Sequence, residues 1–342
     1  ITEQVPYERY REIIGDPAPA TGKRVAIIGA GPAGMTAAFD LARAGHEVHV
    51  YEAKSHAGGM TRYGIPEYRL PYDTIQREID LIVSMGVVMH YDTQVGADIP
   101  MTQLQDEHDA VVLTIGLWLG RSTRIPGSDH PNAKKAVELL RDITDGVAIQ
   151  APEKLVVIGG GNVAMDIARS MARLQKQQHG QVSITLTALE DLDHFLADSD
   201  EVKESLEEGI EILDSRGPQE CLVDDNGDLL GLRTWKVTSI FDEQGRFAPT
   251  YDDGDEQVHH GDWVIEAIGQ MSDTALLGED LTERLEWNRG RIQVDDDGQT
   301  SEPWLWAAGD CVKGPDVVSA VATGHRVAAS IEAMFEREEA KA

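Results

Sequence analysis

Two glycine-rich turns of the same kind, 130 residues apart, constrain the fold of this chain more than any other feature. The first is Gly29-Ala30-Gly31-Pro32-Ala33-Gly34 and the second is Gly159-Gly160-Gly161-Asn162-Val163-Ala164, each preceded by a short apolar run. In both, a buried strand is expected to turn into a helix, and the glycines permit a tight turn and close approach of a diphosphate. The diphosphate would rest on the helix N-terminus. Two such turns therefore predict two dinucleotide sites in one protein.

An acidic residue, Glu52, follows the first turn at the end of the next predicted strand. It lies 18 residues after Gly34. A carboxylate in that position accepts both hydroxyls of an adenosine ribose, which favours a nucleotide without a 2′-phosphate. The loop Gly58-Gly59-Met60 comes soon after, and its glycines are expected to let the backbone close on the bound nucleotide.

The C-terminal segment indicates what the first nucleotide is. The apolar strand 303–308 is followed by Gly309-Asp310, and Asp310 is expected to hydrogen-bond a ribityl hydroxyl or a water beside the diphosphate. The run Gly314-Pro315-Asp316-Val317-Val318 then begins a helix whose amides would face the flavin O2 edge, where negative charge builds up in reduced flavin. Together with the first glycine turn, this segment predicts FAD.

Composition limits the possible partners and the cellular location. Asp and Glu number 60 against 30 Lys and Arg, which gives a net charge of −30, so nucleic acid and anionic membranes are poor partners. The acidity fits either a docking face for a basic redox partner or a solvated acidic surface, and the second is favoured. No run reaches the ~18 apolar residues of a membrane span. The two cysteines, Cys221 and Cys311, form no metal-binding cluster, and the protein is expected to be cytoplasmic without a metal site.

Periodicity and turn residues predict the order of elements. The polar stretch 1–22 is expected to be an arm or linker, and 209–270 to be rich in β-structure, with hairpin turns at 225–228 and 252–255. The spacing of the aspartates in those turns does not fit an EF-hand calcium loop. The other predicted elements are the strands 24–29, 47–52, 109–116, 155–158, 182–188 and 303–308 and the helices 32–44, 72–85, 162–176 and 316–337.

The stretch from Gly58 to Pro71, with the sequence GGMTRYGIPEYRLP, resembles a signature of the glutamate synthase small-subunit family. That group includes the flavin domains of dihydropyrimidine dehydrogenase and of NADH-dependent ferredoxin:NADP oxidoreductase. The resemblance runs from about Lys23 to Ile331. It implies an α/β fold with two Rossmann-like dinucleotide-binding domains, of the pyridine nucleotide-disulfide reductase type, in which the NAD domain is inserted into the FAD domain. The domains expected on this basis are an arm at 1–22, FAD domain at 23–130 and 286–342, and inserted NAD(H) domain at 131–285.

The resemblance also implies which residues contact the two nucleotides, and the motifs described above add a few neighbours. For FAD these are Gly29, Gly31, Pro32, Ala33, Gly34, Glu52, Gly59, Met60, Ile65, Pro66, Val95, Thr114, Gly116, Gly309, Asp310, Val317 and Val318. For the nicotinamide nucleotide they are Gly160, Gly161, Asn162, Val163, Glu190, Ile268 and Gly269.

One departure from the family concerns the choice of nucleotide. Relatives commonly carry two arginines that hold the 2′-phosphate of NADP, and the matching positions here are Leu189 and Glu190. From Gln181 to Val202 there is no Lys or Arg, and Glu190, Asp191 and Asp193 crowd the position. A 2′-phosphate would meet like charge, whereas Glu190 is able to accept ribose hydroxyls. The sequence therefore predicts NAD(H), with NADP(H) less favoured.

A second departure is the lack of the Cys-rich N-terminal region that many relatives carry. If the sequence is complete, FAD is the only redox centre, and single electrons must pass to a separate iron–sulfur protein, subunit or ferredoxin. If the sequence is a piece of a longer chain, the clusters lie outside it. Thioredoxin-reductase-like enzymes share the two-domain plan but need a C-x-x-C dithiol, which neither Cys221 nor Cys311 provides. Both cysteines are interpreted as structural, and His259-His260 as a strand end.

The function predicted from these features is hydride transfer between NAD(H) and FAD, followed by electron transfer to or from the iron–sulfur partner, within a multi-subunit oxidoreductase. Hydride transfer between nicotinamide C4 and flavin N5 needs no acid or base from the protein, so no catalytic residue is assigned. Two alternatives stay open. One is the electron-input subunit of an NAD(P)H-dependent glutamate synthase, and the other is a non-catalytic FAD-binding scaffold or redox sensor.

Overall fold

The computed structural model describes residues 7–341. Its helices are α1 (Tyr7–Ile14), α2 (Pro32–Arg43), α3 (Met60–Tyr63), α4 (Tyr72–Val83), α5 (Met101–Glu107), α6 (Ala136–Thr144), α7 (Asn162–His179), α8 (Ser199–Glu207), α9 (Gly278–Arg284) and α10 (Val317–Glu339). Its strands are β1 (Arg24–Ile28), β2 (Glu47–Tyr51), β3 (Val88–His90), β4 (Ala110–Leu113), β5 (Leu119–Gly120), β6 (Ala133–Lys135), β7 (Leu155–Ile158), β8 (Ile184–Thr187), β9 (Glu211–Leu213), β10 (Arg216–Val223), β11 (Leu229–Phe241), β12 (Phe247–His260), β13 (Trp263–Glu266), β14 (Gln270–Met271), β15 (Trp287–Asn288), β16 (Arg291–Ile292) and β17 (Leu305–Ala307).

The chain divides into two compact units. The first combines the described residues up to Tyr63 with 67–118 and the residues from Met271 onward, and the second combines 64–66 with 119–270. One unit is therefore inserted into the other. Each unit contains a five-stranded parallel sheet, so the predicted α/β fold with two Rossmann-like domains is confirmed.

The inserted unit is shifted toward the N-terminus at both ends relative to the domain range 131–285 that the sequence predicts. At the first end, the backbone amide of Thr123 donates to Glu266 within the second unit, over 2.7 Å. At the other end, the leucines 277, 281 and 285 pack in the core of the first unit beside Ala26 and Ile28. Segment 119–130 therefore belongs to the inserted unit, and 271–285 belongs to the unit that carries the first glycine turn.

The sheet of the first unit has the strand order β17-β4-β1-β2-β3, with every neighbouring pair parallel. Alternate residues of the central strand β1 serve two cores. Val25 and Ile27 pack with α2 and α10, while Ala26 and Ile28 pack with residues of α5 and α9. A strand buried on both faces explains why β1 is a continuous apolar run rather than an alternating one.

The sheet of the second unit has the order β6-β13-β7-β8-β9 and is also parallel throughout. Leu155 and Val157 of β7 pack against α7. Val156 and Ile158 face the other way, toward Leu232 of the antiparallel sheet β10-β11-β12. The inserted unit therefore has helices on one face of its parallel sheet and a second sheet on the other.

The β-rich region contains one predicted turn and one feature that the sequence did not predict. Asp224 to Asp228 form the hairpin turn between β10 and β11, as predicted near 225–228. The predicted turn at 252–255 is wrong, because these residues lie inside β12, where the pairing with β11 shifts between Trp235 and Lys236. The extra residues form a bulge, and the hairpin turn lies at 242–246 instead.

One helix was not predicted, and one predicted helix is longer than expected. The segment expected to be an arm or linker contains the helix α1, while residues 1–6 of that segment lie outside the described residues. Helix α7 continues past 176 to His179 and ends at Gly180, which adopts the left-handed conformation and donates its amide to the Lys176 carbonyl. Glycine ends helices in this way because it lacks a Cβ.

Candidate dinucleotide sites

Each glycine of the first turn is needed for a different steric reason. A Cβ on Gly34 would overlap the Gly29 carbonyl oxygen and lie 2.5 Å from Thr114 Oγ1, so the third glycine is needed for close packing. Gly29 has a φ of +100°. A Cβ on Gly31 would approach only the Cα of Gly59, at 3.9 Å. The space above Gly31 therefore suits a diphosphate, as the motif predicts.

Glu52 is a buried carboxylate that organises this turn. Only 5% of its surface is exposed. Its Oε2 accepts from the amide of Ala30 at 2.8 Å, and its Oε1 accepts from the amide of Lys54 at 2.9 Å. Burial raises the pKa of Glu52, and these backbone amides oppose the rise. A carboxylate has about four acceptor sites, so the two amides leave others for ribose hydroxyls.

The backbone of the 58–60 loop lies against the first turn. The amide of Gly58 donates to the Ala30 carbonyl at 2.8 Å. A Cβ on Gly59, whose φ is +54°, would lie 2.8 Å from the Cα of Gly31. Three residues after the end of β4, Gly116 has a φ of +60°, and no other atom lies within 4 Å of a Cβ added there. The cradle is thus built mainly from backbone, which suits a bulky ligand.

Asp310 lies at the C-terminal edge of the same sheet. Gly309, directly after Ala308, donates its amide to Thr323 Oγ1 at 2.9 Å, and a Cβ on it would lie 2.9 Å from the Ala33 Cβ. Among the described residues, Asp310 Oδ1 is buried without a hydrogen-bond partner. Burial raises the pKa of Asp310. A buried acceptor without a partner calls for a ligand or water, and a polyhydroxyl group such as a ribityl chain fits it.

Helix α10 begins directly after this turn. Its N-cap residue, Asp316, accepts from the amide of Ser319 at 2.6 Å, and that bond lowers the Asp316 pKa. Val317 and Val318 are exposed at the first turn of the helix. Both residues therefore have surface that is open to a ligand. The predicted helix start at 316 is therefore confirmed within one residue.

The structure gathers most of the predicted FAD residues at one edge of the first sheet. Pro32 and Ala33 begin α2, Met60 begins α3, and Thr114 and Gly116 follow β4. Val95 is buried in the core that contains Ala26 and Ile28, on one face of the first sheet. Ile65 and Pro66 fall in the short 64–66 segment that belongs to the second unit. The individual FAD contacts stay predictions.

The second glycine turn repeats the steric pattern of the first. Gly159 has a φ of +141°, and a Cβ there would overlap the Ala267 carbonyl oxygen. Gly161 has no atom within 4 Å of an added Cβ. It is the N-cap of α7, and no side chain caps it, so the amides of Asn162 and Val163 at the helix start are placed for an anion.

Glu190 lies directly over the middle glycine of this turn. A Cβ on Gly160 would lie 3.0 Å from Glu190 Oε2 and 3.1 Å from the Ala188 Cβ. The carbonyl of Glu190 accepts from the amide of Ser215 at 2.9 Å. The carboxylate that the sequence assigns to ribose binding is therefore beside the backbone that the nucleotide would approach.

The side chain of Asn162, a predicted nucleotide contact, is bonded to a residue that sequence reasoning missed. Asn162 Oδ1 accepts from the amide of Asp198 at 2.9 Å, and Asn162 Nδ2 donates to Asp198 Oδ2 at 3.2 Å. The sequence does carry a signal, because Asp198 precedes a helix and Glu201 follows three residues later, the pattern of a capping box. That pattern predicts a bond to the start of α8, whereas no side-chain cap forms there and the carboxylate bonds to Asn162.

A buried polar network holds the predicted contact Gly269 and was also missed. Glu266, at the end of β13, accepts from the Thr123 amide at 2.7 Å and pairs with Lys135 Nζ. Burial lowers the pKa of Lys135. The neighbouring amide of Arg121 donates to the Gly269 carbonyl at 3.0 Å. Gly269 and the exposed Ile268 therefore lie in a loop braced by segment 121–123.

The two cysteines are buried and weakly acidic. Burial raises the pKa of Cys221 to about 11 and that of Cys311 to about 12. Thiols with such pKa values are poor nucleophiles at neutral pH, which supports their interpretation as structural. His259 and His260 end β12, as predicted. Among residues 7–341, no helix is long and apolar enough to cross a bilayer.

The sequence pattern of the pyridine nucleotide-disulphide oxidoreductase family matches residues 23–324. The chain belongs to this family. Membership implies FAD together with NAD or NADP, and the chain has two glycine turns of the kind that binds such nucleotides. Curated proteins described as the small chain of glutamate synthase are among the relatives that this chain matches, which supports the resemblance to that subunit.

Three curated relatives illustrate the family. The beta subunit of an NADP(+)-dependent formate dehydrogenase from Moorella thermoacetica is 38% identical over 91% of this chain and 44% of its own length. The PreT subunit of an NAD-dependent dihydropyrimidine dehydrogenase from Escherichia coli is 35% identical, over 94% and 71%. The small chain of a glutamate synthase [NADPH] from Halomonas elongata is 32% identical, over 91% and 68%. The chain spans about half the length of the first curated relatives it matches.

Solved structures support the fold. FprA from Mycobacterium tuberculosis, in complex with NADPH, matches with a TM-score of 0.77 over 93% of this chain and 86% of its own, at 17% identity. At such identity the likeness shows the pyridine nucleotide-disulphide oxidoreductase fold alone.

Proposed function

We propose that this chain is an FAD-containing oxidoreductase subunit that exchanges a hydride with NAD(H) and passes electrons to or from a separate iron–sulfur protein or ferredoxin. The observation that carries the proposal is the pair of complete glycine turns, each with a carboxylate fixed beside it. Glu52 is bonded to the first turn, and Glu190 lies over the second. FAD, when bound, supplies a hydride acceptor and the ability to release electrons one at a time.

The residues of the chain then bind and orient the two nucleotides. Open backbone at Gly31 and Gly161 receives the diphosphates at the starts of α2 and α7. Glu52 and Glu190 would accept from ribose hydroxyls, and Asp310 would accept from the ribityl chain. The amides in the first turn of α10 would stabilise negative charge on the flavin. No side chain is required to move a proton, so positioning and electrostatics are the contribution of the protein.

The preference for NAD(H) rests on the charges around Glu190. Two of the relatives described above carry NADP in their names, but the local chemistry here differs. Segment 181–202 has no Lys or Arg. Arg216, the first arginine after it, is almost fully buried in an ion pair with Asp255. Glu190, Asp191 and Asp193 would place like charge around a 2′-phosphate, and His194, the one histidine of this segment, is bonded to Asp191, so NADPH should bind more weakly than NADH.

The test is an anaerobic titration of the purified flavoprotein with NADH and, separately, with NADPH, in which flavin reduction is followed by absorbance at about 450 nm. We expect NADH to bleach the flavin at lower concentration than NADPH. Bleaching by NADPH alone would reverse the specificity proposal. Bleaching by neither would leave a non-catalytic FAD-binding scaffold as the better description.

The electron partner requires a separate measurement. The first curated relatives are named as subunits and are about twice as long as this chain. After reduction by NADH, an added ferredoxin should reoxidise the flavin if single electrons leave to an iron–sulfur protein. Stimulation by a glutamate synthase large subunit, with ferredoxin inert, would favour the electron-input alternative.

A further inference from the structure

The acidic segment from Glu190 to Asp198 is tied down at both ends. At its start, the Glu190 carbonyl accepts from the Ser215 amide. At its end, Asp198 and Asn162 exchange two hydrogen bonds of 2.9 and 3.2 Å, which we call the Asn162–Asp198 clasp. Between the ends, Leu192 and Leu196 are 50% and 76% exposed. A segment with so little burial depends on its end contacts for order.

Both ends of the segment meet at the same glycine. Ala197, next to Asp198, donates its amide to the Gly160 carbonyl at 3.0 Å. From the other end, Glu190 Oε2 lies 3.0 Å from the position of a Cβ on Gly160. The ring of Phe195 approaches that position as well, at 3.7 Å, and packs on the core beside α7. The segment therefore forms a closed loop over the middle of the second glycine turn.

We propose that Asp198 is a positioning residue for the nicotinamide nucleotide, acting through Asn162 to keep the Glu190 carboxylate over Gly160. The inference rests on the proposed function, because it assumes that NAD(H) binds at the second glycine turn. Closing the loop in advance removes part of the entropy that would otherwise be lost when the nucleotide binds. The clasp also occupies the Asn162 side chain, so the amides at the start of α7, rather than that side chain, are presented to the diphosphate.

The consequence is specific to affinity and to nucleotide choice. If Asp198 loses its side chain, the bond from Asn162 Nδ2 is lost, the end of the segment keeps only the amide bonds of Ala197 and Asp198, and Glu190 spends less time over Gly160. Binding of NADH should weaken, and the difference between NADH and NADPH should narrow, because the discriminating carboxylate is less well placed. The rate of flavin reduction at saturating NADH should not change, since Asp198 touches no reacting atom.

The experiment compares Asp198→Ala with Asp198→Asn and with Asp200→Ala in the holoprotein. Asp200 is an exposed acid in the first turn of α8 and takes no part in the clasp, so Asp200→Ala removes the same charge and leaves the clasp intact. In stopped-flow flavin reduction, Asp198→Ala should raise the Kd for NADH about fivefold, the worth of one hydrogen bond. The limiting rate should stay unchanged. Asp198→Asn, which keeps an acceptor for Asn162 Nδ2, should recover most of the affinity.

A second readout does not depend on flavin reduction. An endoproteinase that cleaves before aspartate should cut at 191 and 193 faster in Asp198→Ala than in the unmodified protein, and NAD+ should slow the cut less in the variant. The reciprocal exchange gives a further check. Asn162→Asp alone places two carboxylates together, and adding Asp198→Asn restores the donor and the original net charge, so protection should return.

Two results overturn the proposal while leaving the proposed function standing. One is equal NADH affinity in Asp198→Ala and Asp200→Ala. The other is a fall in the limiting rate with no change in Kd. Failure of NADH to reduce the flavin of the unmodified protein is a different result, because it would overturn the proposed function and this inference together.

Discussion

Glu52 Oε2 accepts a hydrogen bond of 2.8 Å from the backbone amide of Ala30, the residue between the first two glycines of the first glycine turn. A side chain from the end of β2 thus holds the turn that follows β1. The carboxylate has two tasks, since it is also the predicted acceptor for ribose hydroxyls. The same relationship links strand order to ligand binding, because β1 and β2 are neighbours in the sheet.

Replacing Glu52 should therefore lower the stability of the protein even in the absence of FAD. Glu52→Ala leaves the buried amides of Ala30 and Lys54 without their acceptor, which costs roughly 1–3 kcal/mol of unfolding free energy. Glu52→Gln keeps one acceptor oxygen and should lose less stability, yet bind FAD more weakly. Denaturant unfolding of the FAD-free proteins and the flavin-to-protein ratio measure the two effects. Asp106→Asn, at an exposed acid of α5, is the control, and a loss of FAD there would contradict a specific role for Glu52.

Two glycines of the first turn should respond differently to alanine. Gly34→Ala places a methyl group into the Gly29 carbonyl and should cost about 1–3 kcal/mol or more through overpacking. Gly31 has a φ of −77° and open space above it, so Gly31→Ala should fold normally without FAD. Its methyl group would occupy the approach of the diphosphate, and FAD binding should weaken sharply. Thermal unfolding of the FAD-free variants and FAD titration separate the two cases; normal FAD affinity in Gly31→Ala would remove the diphosphate from that position.

Two substitutions shortly after β8 should shift the nucleotide preference from NADH toward NADPH. The double substitution of Leu189→Arg and Glu190→Arg supplies two cations and removes the carboxylate, so the NADPH affinity should rise and the NADH affinity fall. On the usual range for such contacts, the ratio should change by about 10- to 100-fold. Single-turnover reduction with each nucleotide measures the change. Unaltered selectivity in the double variant would mean that the 2′-hydroxyl lies elsewhere.

A histidine group on the first sheet should make the stability depend on pH. His49 Nδ1 and His90 Nε2 are 2.9 Å apart, the His90 ring stacks on Tyr51, and the His108 ring packs edge-on against His49. Burial lowers the pKa of His90 and of His108, and His49 contributes in the same direction. The folded state then binds fewer protons than the unfolded chain, whose histidines titrate near pH ~6.5. Stability is therefore complete above that pH and is lost as the pH falls below it.

The test compares thermal unfolding at neutral and mildly acidic pH. The variant with both His90→Gln and His108→Gln should lose less stability on acidification than the unmodified protein. His56→Gln, at an exposed histidine, is the matched control and should keep the original pH profile. Identical pH profiles for all three proteins would show that the histidine group does not cause the effect.

The cysteines should be chemically silent in the native protein. With pKa values of about 11 and about 12, Cys221 and Cys311 should not react with iodoacetamide at pH ~8, where a free thiol with pKa ~8.5 is partly ionised. Both should react after unfolding. A protein with Cys221→Ser and Cys311→Ala should still be reduced by NADH, because no dithiol takes part. Rapid native alkylation that abolishes reduction would bring back a thiol mechanism.

Much of the fold could be predicted because local and global signals agree at the two parallel sheets. A strand such as β1 is apolar on both faces and is followed at once by a glycine turn, so pattern, turn chemistry and topology give one answer. Prediction failed where residues typical of turns are used inside a strand. The run Asp252-Asp253-Gly254-Asp255 lies in β12, and long-range pairing with β11 overrides its local preference.

The site was predictable where chemistry follows from spacing, and it was not where it depends on distant segments. The position of Glu52 follows from its place at the end of the strand after the first glycine turn, whereas Glu190, three residues beyond β8, is assigned by the resemblance to the family. The Asn162–Asp198 clasp joins residues 36 positions apart, and the Thr123–Glu266 bond joins residues 143 apart. No periodicity or motif records such pairs. The shifted unit boundaries have the same origin, since segment 119–130 is joined to the inserted unit by long-range contacts such as the bond from Thr123 to Glu266.

Because the first unit is built from separate stretches of the sequence, its folding during synthesis depends on residues that are made late. The edge of β4 is covered by β17, and close packing at Ala33 requires Gly309 and also Gly324, where a Cβ would lie 2.5 Å from the Ala33 carbonyl oxygen. These partners are synthesised about 200 residues or more after β4 and α2. Segment 119–270 is complete long before then. Because domains generally fold as units during synthesis, we expect the unit with the second glycine turn to close first, while the first unit waits, with an open sheet edge, until β17 and α10 have been synthesised.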